Sequence, residues 1–370
     1  MKVLYASKNI DHIEFSQILK LKELGWTSIV VTGTEAFVQE LKANKIDVFH
    51  FSDFNRTRIN RNLRPKLKKL IEEYLPDIVY TVHGNSVTSN MIGVLLEAKF
   101  KKIPLLTYRG IVGNTNFLRN PESLLTFNHR RVDGVLGTSY AVKNYLQKQF
   151  FIRKKYLGVM YPGLDENYLK EKATEACEDE LLTQKLSSDH LNFCVLGTDR
   201  KSKGFKYLFE AINALPEDVR KKVRVFYIGN PKQWADKLKD DENYVFLGYK
   251  KNPFKYFKNF DFMLMPSFQE GLGRASVEAS ILGLPVIASS AGGLPEVVKT
   301  GQTGFVFRRC DSKELSRKIS YIFKLGPEKW RALSNKMGSE SKLYMREKFI
   351  ADVTVKTLIE HFSALLIKKK

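Results

Sequence analysis

Phe262-Met263-Leu264-Met265-Pro266-Ser267-Phe268-Gln269-Glu270-Gly271-Leu272-Gly273-Arg274-Ala275-Ser276-Val277-Glu278 is the stretch on which the fold turns. It runs from a short apolar segment, through a loop holding two glycines, into a helical pattern over residues 274–282. Strand, glycine loop and helix in that order make an anion site. The first N–H groups of a helix have no partner within it and carry the positive end of its dipole. Gly271 and Gly273 allow a phosphate or a sugar to approach the main chain. Glu270 stands at the loop entrance and Glu278 about one turn into the helix. A carboxylate is a poor neighbour for phosphate, but it accepts hydrogen bonds from a ribose diol or a hexose.

Outward from this stretch the same alternation fills the second half of the chain. Residues 191–196, 224–229, 245–247, 262–266, 285–288 and 304–307 read as strands, with helical patterns at 205–215, 274–282, 295–299 and 312–324. The first half repeats it, with strands at 2–6, 28–32, 48–50, 78–82, 105–108 and 135–138 and helices at 15–24 and 64–75. The strands are continuous β-branched and aliphatic runs, as in sheets buried on both faces. Helix-length separations imply right-handed βαβ units and parallel sheets. Between the halves, the polar, acid-rich stretch around 166–190 reads as a linker, and Glu178-Asp179-Glu180 within it reads as solvated. The expected organisation is one domain over 1–166, a second over 167–340, and a helical segment at 341–370. Periodicity assigns that last segment to neither domain, a return to the first being one option.

Two more loops gather at the same predicted sheet edge. Ser290-Ala291-Gly292-Gly293-Leu294-Pro295-Glu296 suits a second helix start, with Pro295 in its first turn. Gly197-Thr198-Asp199-Arg200-Lys201-Ser202-Lys203-Gly204 supplies cations that could neutralise a diphosphate without metal. Phosphate loop, cations and sugar-facing carboxylates together describe a nucleotide-sugar site.

Composition narrows the classes. The 370 residues are 43% hydrophobic, ample for two cores and too much for a disordered chain. Three cysteines, Cys177, Cys194 and Cys310, lack metal-ligand spacing and suit a reducing compartment. No apolar run approaches the ~18 residues of a membrane span, and the start turns polar too early for a signal peptide. These features read as a cytoplasmic protein. Six histidines form no metal or triad pattern, and His83, at a strand's end, is the one singled out. The net charge of +21 points to anionic partners. Arg56, Arg58, Arg61, Arg64, Lys66, Lys68 and Lys69 fall in one acid-free run, whose outer cations Arg61, Lys66 and Lys69 would face an anionic membrane surface. General solubility is the commoner explanation of such a run taken alone.

Residues 262–307 as a whole, with Glu270 and Glu278 separated by seven residues, Gly-Leu-Pro-Val-Ile-Ala at 283–288, Gly292-Gly293-Leu294-Pro295-Glu296 and Gly301-Gln302-Thr303-Gly304, resemble the donor signature of the family 4 (group 1) retaining glycosyltransferases. Weaker resemblance covers Asp77–His83, Asp133-Gly134-Val135 with Ser139, Gly163-Leu164-Asp165 and Lys203-Gly204. The resemblance implies the α/β GT-B fold: two tandem Rossmann-like, doubly wound parallel-sheet domains facing across a cleft. It implies that Glu278 binds the donor ribose, and that Glu270, with Gly271 and the backbone of Leu272, Gly273 and Arg274, holds the donor sugar. By the same resemblance Lys203 and a nearby arginine neutralise the diphosphate beside Gly197, Tyr249 and Lys250 line the base pocket, and His83 faces the sugar. Two departures stand out. Thr198 occupies the place where members carry arginine, leaving Arg200 as the nearest substitute. Ser7-Lys8-Asn9 replaces the usual Gly-Gly loop after the first strand, so Asn9 or Lys8 would act through its side chain.

The expected function is a retaining, metal-independent transfer from a nucleotide-diphosphate sugar, UDP-linked, to a cell-envelope glycan or glycolipid at the inner face of a membrane. No cofactor is expected. An epimerase or hydrolase on the same fold is the rival among enzymes. A nucleic-acid-binding protein is the rival outside them, and no helix-turn-helix, zinc-finger or RNA-platform signature supports it.

Overall fold

The computed structural model describes the chain except residues 56–59, 61, 83–84, 113–125, 150–151, 153–154, 199 and 370, and gives only the backbone of 55, 85, 232, 233 and 369. It divides into two compact units. The first comprises Met1–Asp165 together with Phe349–Lys370, and the second is Glu166–Lys348.

The first unit is built on a seven-stranded sheet of β1 (Lys2–Ser7), β2 (Thr27–Thr32), β3 (Asp47–His50), β4 (Ile78–Val82), β5 (Leu105–Arg109), β6 (Gly134–Gly137) and β7 (Tyr156–Val159). Their order is β3-β2-β1-β4-β5-β6-β7, and every neighbouring pair is parallel. Along β1, Leu4 and Ala6 enter one apolar cluster while Val3 and Tyr5 enter another. Both faces of the sheet are therefore covered, which is why the strand sequences do not alternate with polar residues.

The second unit carries β8 (Leu191–Thr198), β9 (Val223–Asn230), β10 (Tyr244–Gly248), β11 (Phe262–Met265), β12 (Val286–Ser289) and β13 (Gly304–Phe307), ordered β10-β9-β8-β11-β12-β13 and again all parallel. In both sheets the order reverses beside the first strand, at β1/β4 and at β8/β11. Ligands in doubly wound sheets bind outside the carboxyl ends of the strands at that reversal.

The stretch expected to be a linker is instead folded. Glu166–Thr174 and Glu180–Lys185 are helices, each seating a buried leucine, Leu169 and Leu182. Asp179, expected in solvent, caps the second of them by accepting from the Leu182 N–H at 3.1 Å. It also holds Lys250 Nζ at 2.8 Å and the Tyr256 hydroxyl at 3.1 Å. Those attractions keep its carboxyl below the usual aspartate range against the opposing effect of burial.

The carboxyl-terminal region also divides differently from the 340/341 boundary. Helix Pro327–Lys348 stays with the second unit, burying Trp330, Met337 and Met345, and helix Ala351–Lys369 belongs to the first. Val355, Leu358, Phe362 and Leu365 from that last helix enter the cluster of Val3, Tyr5 and Tyr80. β7 escaped notice in the sequence because Gly158 interrupts it. A Cβ there would stand 2.6 Å from the His361 ring. His361 Nδ1 lies 2.7 Å from the Tyr156 hydroxyl and Nε2 2.9 Å from the Val159 carbonyl, which fixes the proton on Nε2. Burial pushes its imidazole pKa down, in keeping with that neutral form.

Candidate functional site

The loops after β8 and β11 meet at the reversal point of the second sheet. After β8 the chain makes a short 3-10 turn, Lys201–Lys203, that ends at Gly204 with φ +71°. A Cβ on Gly204 would lie 2.0 Å from the Pro266 carbonyl oxygen, so only glycine lets the two loops close up. The Phe268 N–H donates to the Ser202 carbonyl at 2.9 Å, tying the loops together. Their approach delivers Lys203 Nζ to Glu270 Oε2 at 2.7 Å. The lysine side chain is 31% exposed and the glutamate 15%, so the pair is partly shielded from water yet open to a ligand. Ser267 Oγ and the Gly271 N–H lie 3.4 and 3.3 Å from the two carboxylate oxygens.

The second glutamate lies on helix Arg274–Leu282, which begins at Gly273 with φ +89°. Glu278 is buried, and its Oε1 accepts from Arg274 Nε at 2.9 Å. Leu272 is buried under the loop, and Gly273 is forced small by Leu294, whose Cδ2 would stand 2.3 Å from a Cβ. The Gly292 loop contributes closeness of packing. A Cβ there would be 1.9 Å from the Glu270 carbonyl oxygen, and the Gly293 N–H donates to the Gly271 carbonyl at 2.8 Å. The helix expected from Pro295 is a single turn, Leu294–Val297, too short to gather much dipole.

The structure thus brings together Lys203, Glu270, Gly271, Leu272, Gly273, Arg274 and Glu278. Gly197 lies at the end of β8 with open space where a Cβ would point, and Arg200 is exposed at the start of the 3-10 turn. Tyr249, after β10, is 78% exposed, while Lys250 is held by Asp179. On the first unit, Asn9 is exposed after β1 and its Oδ1 accepts from Thr34 Oγ1 at 2.9 Å. Lys66 and Lys69 are exposed, whereas Lys68 is engaged by Glu97 at 2.9 Å. His83 and Arg61 lie outside the described residues.

Two residues had no place in the sequence reading. Arg309, after β13, donates from Nη1 to the Phe268 carbonyl at 3.4 Å and so adds a cation beside the β11 loop. Arg109 ends β5, is 5% exposed and stacks 4.8 Å over Phe127; burial pulls its pKa down to about 10. A charged residue closing an otherwise apolar strand was the available signal for it. Among the described residues, no group of three or more His, Cys, Asp or Glu side chains is placed to hold a metal ion.

Residues 179–342 match the model of the glycosyl transferases group 1, and residues 18–168 match that of glycosyltransferase family 4. The chain belongs to the family 4 (group 1) glycosyltransferases. Among relatives of this glycosyltransferase, the sulfoquinovosyl transferase SQD2 of Arabidopsis thaliana is 25% identical over 81% of the chain and 60% of its own length. The capsular polysaccharide biosynthesis glycosyltransferase CapM of Staphylococcus aureus is 25% identical over 67% of the chain and 61% of its own length. The chain therefore spans about three fifths of either relative. Among solved structures, Anabaena Alr3699/HepE in complex with UDP-glucose superposes with a TM-score of 0.73 at 19% identity, covering 98% of this chain and all of that one. The fold of this glycosyltransferase is GT-B, with its two Rossmann-like sheets as described.

Proposed function

We propose that the protein transfers a sugar, with retention, from a nucleotide diphosphate, UDP in first place, to a cell-envelope glycan or glycolipid of the lipopolysaccharide, capsule or lipid-linked class. The observation that carries this is the Lys203–Glu270 pair at the reversal point of the second sheet. A diphosphate seated there meets Lys203, Arg200 and the start of helix Arg274–Leu282, which together stabilise the leaving group as charge develops on it. Removing one such preorganised donor commonly costs ~3 kcal/mol of barrier. Glu270, released from Lys203 by the incoming phosphate, takes the sugar's hydroxyls, and Glu278 takes the ribose diol. In this reading the acceptor attacks from the front face as the sugar–phosphate bond breaks, and the donor phosphate receives the acceptor proton. With this many cations the leaving group needs no divalent metal. CapM, which acts in capsular polysaccharide biosynthesis, supports the acceptor class, and HepE, solved with UDP-glucose, supports the donor class.

The test is a thermal-shift screen of nucleotide sugars followed by donor-only and donor-plus-acceptor incubations, each with and without EDTA. One UDP-sugar should stabilise the protein, and its consumption should depend on a glycan acceptor and survive EDTA. Conversion of donor alone to free sugar or to an epimer would replace transfer with hydrolysis or epimerisation. An absolute requirement for Mg²⁺ or Mn²⁺ would refute the charge assignment.

A further inference from the structure

We propose that the Arg274 side chain is a positioning residue: it holds the Glu278 carboxylate in register for the ribose diol and so sets how sharply the site separates a ribonucleotide from its 2′-deoxy counterpart. The inference rests on the reading of this loop as a nucleotide-sugar site. By resemblance alone, Arg274 would contribute only its main chain.

The starting observation is electrostatic. Arg274 is the first residue of helix Arg274–Leu282, and the first turn contains no acid. A cation there opposes the helix dipole, and arginine four residues before glutamate is the weaker orientation of an i,i+4 pair. Helix stability therefore gives only a weak reason for an arginine at this position, and the geometry gives a stronger one. Nε lies 2.9 Å from Glu278 Oε1, with the carboxylate side chain 8% exposed and the arginine 40% exposed. A buried carboxylate left unpaired is costly, and the guanidinium, more rigid and directional than an ammonium, supplies a donor at one defined oxygen.

That directed contact matters for the ligand. Recognition of two adjacent hydroxyls requires acceptor atoms at set positions, and an unsupported glutamate has three side-chain torsions in which to lose them. The helix holds the glutamate's backbone, and Arg274 holds its carboxylate.

Calorimetric titration of the full chain tests this, using UDP and GDP, each beside its 2′-deoxy counterpart, against wild type, Arg274→Met and Arg274→Lys. Wild type should prefer the ribonucleotide by about tenfold or more, the effect expected of a hydrogen bond to an ionised group. Arg274→Met should lose most of that preference by weakening the ribonucleotide, with the deoxy form held within about twofold, which also shows that the variant is folded. Arg274→Lys should keep an intermediate preference. If Arg274→Met weakens both forms equally, or keeps the full ratio, the inference is overturned, because Arg274 then acts as a general cation or only as packing. If wild type binds neither nucleoside diphosphate, the nucleotide-site reading itself fails, a result distinct from either of those.

Discussion

At the residue scale the two glutamates divide the work by their surroundings. Glu270 shares its charge with Lys203 at the lip of the loop, whereas Glu278 is buried against Arg274. Replacing Glu270 by Gln keeps the shape and removes the charge that the departing sugar meets. The expected outcome is a fall in kcat of about 100-fold with a much smaller rise in donor KM, the pattern of an interaction that strengthens in the transition state. Glu278→Ala should instead raise donor KM by about tenfold or more and spare kcat, as loss of uniform binding does. Initial-rate kinetics at varied donor concentration separates the two, and equal effects of both changes would dissolve the division of roles. The residue types were legible in the sequence because Glu270, Gly271, Gly273 and Glu278 lie within nine positions of one another. Their cationic partners were only half legible. Lys203 stood out in a basic loop, but its contact with Glu270 spans 67 residues and depends on Gly204 closing onto Pro266. The Asp179–Lys250 pair was missed for the same reason: an acid-rich stretch looks solvated until the lysine that buries it is placed.

Elements explain why the site is rigid enough to have such geometry. Gly204 joins the 3-10 turn to helix Phe205–Asn213 in the left-handed region, hard against the Pro266 carbonyl. Alanine there pays roughly 1–2 kcal/mol for its backbone conformation alone. The clash with a main-chain oxygen adds to that cost and pushes Lys203 away from Glu270. Gly204→Ala should therefore lower the urea midpoint and weaken donor binding together. Alanine at Gly197, where a Cβ meets open space, should leave the midpoint much closer to wild type. Donor-induced thermal shift and urea melts of both variants provide the comparison, and an unaltered Gly204→Ala protein would show that the two loops do not need this approach. Strands of continuous β-branched, aromatic and aliphatic residues, such as β4 and β11, were readable from sequence because both of their faces are buried. β7 was not, since a half-exposed strand with a central glycine carries little periodic signal. The helices Glu166–Thr174 and Glu180–Lys185 were hidden by their polar surfaces, each contributing one buried leucine.

For the whole molecule, the charge of +21 is the property with consequences beyond either sheet. Lys68 and Lys99 are partly neutralised by Glu97 and Glu72, while Lys66 and Lys69 on helix Leu63–Tyr74 stand exposed. No helix among the described residues is long and apolar enough to cross a membrane. Each exposed cation near an anionic leaflet contributes ~1 kcal/mol, an attraction that fades as the Debye length contracts from ~10 Å at 0.1 M salt to ~3 Å at 1 M. The protein should sediment with anionic vesicles at low salt and with neutral vesicles hardly at all. Replacing Lys66 and Lys69 by Glu should reduce the anionic pelleting severalfold, and pelleting indifferent to lipid charge and to these substitutions would leave a dissolved acceptor as the better account.

The split of the first unit into Met1–Asp165 and Phe349–Lys370 governs the order in which a nascent chain can finish folding. Synthesis proceeds from the amino end, so the seven strands of the first sheet emerge well before the helix that completes their core. The side chains that helix supplies, Val355, Leu358, Phe362 and Leu365, are 0–2% exposed in the finished protein. Burying them is worth on the order of 6–12 kcal/mol, as much as the whole net stability of an ordinary domain. The second unit is continuous and can close as soon as Lys348 has left the ribosome. The first must wait with Tyr80 and its neighbours uncovered while all of residues 166–348 are made, on the order of ten to forty seconds at about 5–20 residues per second. Translation thus makes the half that begins first the half that is completed last, and a premature stop just beyond Lys348 leaves a finished second unit tethered to an open first one.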